Sequence, residues 1–134
     1  MFKKAIFLIL LFPGFNTVLA QESDINKSQF SVNLFISANK IIYIETNKIK
    51  FQDIENKVSD ILRNQPFKLD QTTVYRIFAD ENLDLGFIMD VNQKMLSAFS
   101  ENVRTERFLL NTVKLNIDGQ NWFDSIDPKD LKAY

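Results

Sequence analysis

The sequence predicts an α+β domain, a two-layer sandwich in which two helices cover one face of a small mixed sheet. Apolar residues alternate with a period of two in several short segments and recur at helical spacing in two others, in the order β-β-α-β-α-β. A chain this short has room for a single sheet, so both helices are expected on the same face of it. An extra C-terminal strand would extend the sheet.

The first two strands are predicted as a hairpin. Residues 30–36 alternate between apolar and polar side chains, and Asn39 and Lys40 are suited to a turn. Residues 41–45 form a second β-rich run. Asn47 and Lys48 are then expected to turn the chain again.

The remaining elements follow from changes of period. Residues 51–64 carry apolar side chains at helical spacing, and the predicted helix ends before Pro66. Residues 72–79 are the strongest strand, and a second helix is predicted over residues 84–100. Another strand covers residues 107–111. The predicted domain therefore spans residues 30–117, in which the alternating Val113, Leu115 and Ile117 form the possible extra strand, and residues 118–134 are a tail.

Residues 1–20 have the three parts of a secretory signal peptide. Lys3 and Lys4 supply positive charge, residues 5–12 are an uncharged apolar run, and cleavage is expected after Ala20. A polar linker, residues 21–29, would then begin the exported protein. An uncleaved membrane anchor is the alternative, although a spanning helix needs about 20 apolar residues. A buried N-terminal helix is the third interpretation.

The composition excludes most catalytic chemistry. The chain has neither His nor Cys, so it can build no Ser-His-Asp triad, thiol nucleophile, thiolate zinc site or disulfide. Its three glycines are too few for a phosphate-binding loop, and it has no basic stripe for nucleic acid. We therefore predict a protein that is not an enzyme and has no cofactor or metal.

Two acidic clusters are the remaining candidates for chemistry. They are interpreted as solvated turns and helix starts, with a glycosidase-like or calcium-binding role as the alternative. Their members are Asp80, Glu81 and Asp84 in the first cluster and Asp124, Asp127 and Asp130 in the second.

A local motif adds a family resemblance. Strand residues 74–78 run into Ala79 and Asp80, a short loop follows, and Gly86 stands where an amphipathic helix begins. In this order, and with the strands and helix around it, the motif resembles the periplasmic domain of the ExbD/TolR family. The resemblance covers residues 30–112. Members of this family are partners of proton-driven motors in the Gram-negative envelope.

Each motif residue carries an expectation. Asp80 is expected to accept backbone N–H bonds and to order the loop, with a ligand contact as the alternative. Gly86 is expected to let the second helix approach the sheet closely, with an ordinary glycine near a helix start as the alternative.

The resemblance implies a periplasmic homodimer that contacts an envelope partner. That partner would be a TonB-like protein, an ExbB/TolQ-like motor protein or peptidoglycan. An extended segment of a TonB-like protein could add as a strand to an exposed sheet edge. Val113, Leu115 and Ile117 are the candidates for that edge, with an internal strand as the alternative.

One departure from the family bears on function. Family members carry an N-terminal membrane helix with a proton-handling aspartate, and such a carboxylate is costly in a membrane and is retained for function. Residues 1–20 contain no Asp or Glu, so that role passes to no residue here. We therefore predict a non-catalytic binding module of a TonB/Tol-type, proton-motive-force-driven biopolymer transport system. A membrane-anchored transport component, an unrelated secreted binding domain and, more remotely, a hydrolase are the alternatives.

Overall fold

A computed structural model of the chain describes residues 28–66, 70–117 and 119–133. The predictions for the signal peptide and for most of the linker therefore lie outside the described residues. The described part forms one six-stranded mixed sheet and two α-helices, which confirms the predicted α+β class. The strands are β1 (Gln29–Ile36), β2 (Ile42–Ile44), β3 (Asn47–Ile49), β4 (Thr72–Asp80), β5 (Val103–Leu110) and β6 (Lys132–Ala133), and the helices are α1 (Ile54–Arg63) and α2 (Leu85–Ala98).

The sheet has a parallel centre and antiparallel edges. Its strand order is β3-β2-β1-β4-β5-β6. Strand β4 runs parallel to both β1 and β5, with Ile36 beside Ala79 and Asp80 beside Leu110. Parallel neighbours need crossover connections, and α1 and α2 lie in those connections. No helix in the described part of the chain is both long enough and apolar enough to span a membrane.

Both helices pack on one face of the sheet. In β4, Tyr75, Ile77 and Ala79 point to this face, as expected from the two-residue period of a strand. The apolar faces of the two helices pack against these strand residues. They consist of Ile54 and Val58 from α1, and Ile88, Val91 and Met95 from α2. This first core is the one that the periodicity of the sequence predicts.

The opposite face has a core of its own, closed by the C-terminal segment. Phe35 and Phe78 project from the sheet, and Trp122 covers them. The indole stacks on Phe35 with ring centroids 5.3 Å apart and planes 13° apart, and its Nε1–H donates to the Glu45 carbonyl at 2.7 Å. The C-terminal segment therefore covers the face of the sheet opposite the helices.

The predicted turn at Asn47 and Lys48 is wrong. The chain turns instead at Glu45 and Thr46, and residues 47–49 return as β3. Glu45 has a φ of 52°, an uncommon conformation for a residue with a side chain. Two hydrogen bonds hold it there, because its N–H donates to the Asn33 carbonyl at 2.8 Å and its carboxylate accepts the Asn33 N–H at 2.9 Å.

The predicted strand at Val113, Leu115 and Ile117 is also wrong. This segment consists of turns, in which the Leu115 N–H donates to the Asn111 carbonyl and the Ile117 N–H to the Thr112 carbonyl, both at 3.1 Å. Leu115 and Ile117 pack against the second core, whereas Val113 is 74% exposed. The alternation in the sequence thus reflects packing of an irregular segment. The additional C-terminal strand is β6, which pairs with β5 at Phe108 and Leu109.

Candidate functional site

Asp80 ties the end of β4 to the segment that follows β5. Its side chain is fully buried. One carboxylate oxygen accepts the Asn82 N–H at 2.9 Å, and the other accepts the Thr112 N–H at 3.0 Å together with the Thr112 hydroxyl. The carboxylate thus connects two loops through hydrogen bonds to their backbone.

The hydrogen bonds decide the charge state of Asp80. Burial raises the pKa of its carboxyl. The hydrogen bonds from Thr112 and Asn82 together lower this pKa by more than burial raises it, so the net pKa lies below the ordinary value. The carboxylate is therefore ionised at neutral pH. Since its acceptor sites are filled by the protein, Asp80 holds the loops in place and offers little to a ligand. Ala79, next to it, is buried in the first core.

Gly86 does not lie at a close approach between helix and sheet. A Cβ added to it would meet no atom within 4 Å, because the residue faces outward in the first turn of α2. A close approach of a different kind is found at Gly119 in the C-terminal segment, where a Cβ would overlap the hydroxyl end of Tyr43. The expectation for Gly86 was wrong because a glycine near a helix start carries no information on which side of the helix it faces.

The two acidic clusters are dispersed into local contacts. Glu81 forms an ion pair with Lys132 at 3.2 Å, and Asp127 accepts the Lys129 N–H at 3.1 Å at the start of a short 3-10 turn. Among the residues that the structure describes, no three acidic side chains lie close enough together to hold a metal ion.

A groove of about 710 Å³ lies between the C-terminal ends of α1 and α2 in the described part of the chain. We call it the helix-end groove. Its floor is formed where β4 and β5 begin. Four amide side chains contribute to its lining, which consists of Asn56, Ser59, Leu62, Arg63, Gln65, Pro66, Gln71, Thr73, Ala98, Phe99, Glu101 and Asn102.

Hydrogen bonds fix the floor of the helix-end groove. The Tyr75 hydroxyl donates to the Phe99 carbonyl at 2.7 Å and so holds the end of α2 against β4. The Asn102 side-chain amide donates to the Gln71 carbonyl at 3.0 Å, and the Asn102 carbonyl accepts the Thr73 N–H at 3.2 Å. Burial raises the pKa of Tyr75 to about 12, so this phenol remains a donor. The groove is therefore preformed.

The chemistry of the groove is suited to binding and not to bond breaking. Among its described lining residues, two are charged: Arg63, which pairs with Asp60 on the same helix, and Glu101. Two helices end here, and their last carbonyls favour a neutral or cationic group. Phe99, 38% exposed, provides an aromatic face among the amides. Such a lining can hydrogen-bond to a polar ligand and pack against its apolar side.

Sequence reasoning missed the helix-end groove. Its residues come from three separate segments, 56–66, 71–73 and 98–102, and the sequence shows only that each segment contains an Asn or Gln. The parallel arrangement of β4 and β5 brings those segments together, so the groove can be recognised only once the topology is known.

The two sheet edges differ in their exposure to partners. Strand β3 has three residues and carries Lys48, features that discourage pairing with another chain. Strand β5 has eight residues, and two of them, Phe108 and Leu109, pair with β6. In the described part of the chain, no strand pairs with residues 103–106 on the side away from β4.

Neither a protein-family model nor a curated protein sequence matches this chain.

Proposed function

We propose that this protein is a non-catalytic periplasmic binding module of the ExbD/TolR type. It would act as a homodimer in a TonB/Tol-type biopolymer transport system. Two observations support the proposal: the order of strands and helices, and the placement of Ala79, Asp80 and Gly86 at the junction between β4 and α2. Residues 1–20 contain no Asp or Glu, which supports a binding role over proton coupling for this chain.

The observation that carries the binding role is the helix-end groove. A preformed groove of about 710 Å³ is within the size range of ligand sites. Its amides can pair with the backbone of an extended segment, which presents a donor and an acceptor at every residue. We therefore propose an extended segment of a TonB-like envelope protein as the partner.

Blocking the groove tests this proposal. Ser59→Trp places a large ring in the groove from α1, whereas Glu55→Trp adds the same ring on an exposed part of α1 outside the lining. With each protein as bait in solubilised envelope, we expect the wild type and Glu55→Trp to retain a TonB-like protein and Ser59→Trp to lose it. Equal recovery by both variants would contradict the groove as the site.

Peptidoglycan is the second candidate partner, and the exposed ring of Phe99 favours it. Sugars bind through amide hydrogen bonds combined with packing of their apolar face on an aromatic ring, and the groove offers both. Phe99→Ala should weaken co-sedimentation with purified murein sacculi. Phe123→Ala, which removes another exposed ring far from the groove lining, should not. Sedimentation that is absent in the wild type would leave the TonB-like partner as the sole candidate.

Export is a separate part of the proposal. We propose that residues 1–20 are removed, which the mass of the protein isolated from the envelope fraction would test. A mass that corresponds to a chain starting at Gln21 excludes the membrane-anchored alternative. A mass that includes residues 1–20 supports it.

A further inference from the structure

The hydrogen-bond pattern of β5 determines which of its residues face the free edge. At one end of the ladder the Asn102 carbonyl accepts the Thr73 N–H, and at the other the Leu110 carbonyl accepts the Glu81 N–H. Parallel ladders alternate, so Arg104 and Glu106 use their backbone groups toward β4. Thr105, between them, directs its N–H and C=O away from β4 toward the free edge.

The side chains beside Thr105 form a self-complementary pattern. Arg104 and Glu106 lie on the same face of β5 and approach each other at 3.6 Å, and Glu106 also pairs with Arg76 at 2.9 Å. If a second β5 pairs antiparallel with Thr105 opposite Thr105, each Arg104 stands opposite the Glu106 of the other copy. Opposite charges at facing positions stabilise a strand pair, and like charges destabilise it.

The geometry of such a pair suits these charges. Thr105 and its symmetry mate would exchange two N–H···O=C bonds. Arg104 and Glu106 would then occupy the closely spaced, non-hydrogen-bonded positions, where facing side chains are nearest.

An apolar surface adjoins the same edge. Leu85 and Met89, one helical turn apart on α2, are 56% and 41% exposed. The Met89 sulfur lies 2.9 Å from a guanidinium nitrogen of Arg107, which places this side of α2 beside β5. A copy docked on β5 would lie beside Met89, which the isolated chain leaves exposed to water.

We propose that the edge of β5 around Thr105 is the docking surface for a second copy of this chain. The two copies pair antiparallel about a two-fold axis at Thr105 and form one continuous sheet. This inference rests on the homodimer of the proposed function and adds its surface and register. A two-fold interface requires a patch that complements itself. The Arg104-Thr105-Glu106 sequence is such a patch, because Arg104 of one copy faces Glu106 of the other.

A charge-swap experiment tests the register. Arg104→Glu alone places Glu opposite Glu, and Glu106→Arg alone places Arg opposite Arg, so each protein by itself should dimerise at least tenfold more weakly in sedimentation equilibrium. An equimolar mixture restores opposite charges at both positions and should form heterodimers with an affinity near that of the wild type. Circular dichroism of each variant controls for folding, since Glu106→Arg also removes the pair with Arg76. A mixture that stays as weakly associated as its components would overturn the register.

A backbone variant tests the edge itself. Thr105→Pro removes an N–H that pairs with no strand among the described residues, and proline is tolerated on edge strands, so the monomer should still fold. It should be monomeric, whereas Thr105→Val, which keeps the N–H, should remain dimeric. Because the chain has no Cys, Thr105→Cys should also give a disulfide-linked dimer on oxidation, and Asn47→Cys on the β3 edge should not.

The outcomes separate this inference from the proposed function. A dimeric Thr105→Pro protein would overturn the β5 surface and leave the homodimer standing. A monomeric wild type that still binds its partner through the helix-end groove would overturn both the surface and the homodimer, with the binding module retained.

Discussion

Trp122 joins the tail to the sheet through two different interactions. Its ring stacks on Phe35 and contacts Phe78, and its N–H is paired with the Glu45 carbonyl in a fully buried position. Trp122→Ala should therefore lower the free energy of unfolding by about 3–5 kcal/mol. Trp122→Phe keeps a ring but leaves the carbonyl unpaired, so its loss should be smaller. Urea denaturation of both variants measures the difference, and equal losses would show that the hydrogen bond dominates.

Asp80 should make the stability of the protein depend on acidic pH. Its pKa is lower in the folded protein than in the unfolded chain, where it is about 3.9, so its contribution is complete above that value. The contribution is lost as the pH falls through the lower, folded pKa. Asp80→Asn, which places an amide against the Thr112 N–H, should cost about 1–3 kcal/mol at neutral pH.

The matched control for Asp80 is Asp84. Asp84 precedes α2, is exposed, and makes no side-chain hydrogen bond to the helix. Asp84→Asn should therefore change little, and it should keep the acid dependence that Asp80→Asn loses. Denaturant titrations at a series of pH values below neutrality follow both. Parallel curves for Asp80→Asn and the wild type would contradict a buried, ionised Asp80.

The two described glycines should respond to alanine in opposite ways. Gly86 lies in α2 with open space around it, so Gly86→Ala should stabilise the protein by about 0.5–1 kcal/mol through helix propensity. Gly119→Ala would push its Cβ into Tyr43 and should destabilise by about 1–3 kcal/mol. Thermal unfolding of the two variants gives the signs. Destabilisation by Gly86→Ala would restore the close approach that the sequence predicts.

At the scale of the elements, Tyr75 fastens the end of α2 to β4. Because its pKa is raised to about 12 from an unfolded value of about 10, the folded state favours the neutral phenol. This stabilisation is complete below pH 10 and is lost as the pH rises toward 12. Tyr75→Phe should remove that alkaline dependence and cost about 1 kcal/mol at neutral pH through the lost bond to the Phe99 carbonyl. Unfolding followed between pH 9 and pH 12 checks both effects, and an unchanged alkaline slope would contradict them.

The elements that could be predicted are those long enough to show a period. Strands β1, β4 and β5 and both helices cover eight residues or more, and the apolar pattern locates each of them. For β5 it locates only the second half: because residues 103–106 are mostly polar, the sequence predicts this strand over residues 107–111, whereas it begins at Val103. Strands β2 and β3 have three residues and β6 has two, too few for a period to appear. The turn before β3 depends on Glu45 at positive φ, a conformation set by its bonds to Asn33 and not by a typical turn sequence.

At the scale of the whole molecule, the sequence predicts one core and the structure has two. The helices account for the first, because their stripes are visible in the sequence. The second depends on a contact between Trp122 and Phe35, which are far apart in the sequence, and no local pattern encodes such a contact. The helix-end groove escaped prediction for the same reason, since only the assembled topology gathers its residues.

The position of Trp122 after both helices and strands β1 to β5 has a consequence for biogenesis. A ribosome synthesises those elements first, so Phe35 and Phe78 stay uncovered until Trp122 has been made. We expect the second core to close only after that point, which leaves an aromatic surface on the nascent chain for a chaperone to bind. For a polypeptide proposed to cross a membrane unfolded, a delay of this kind preserves its competence for translocation.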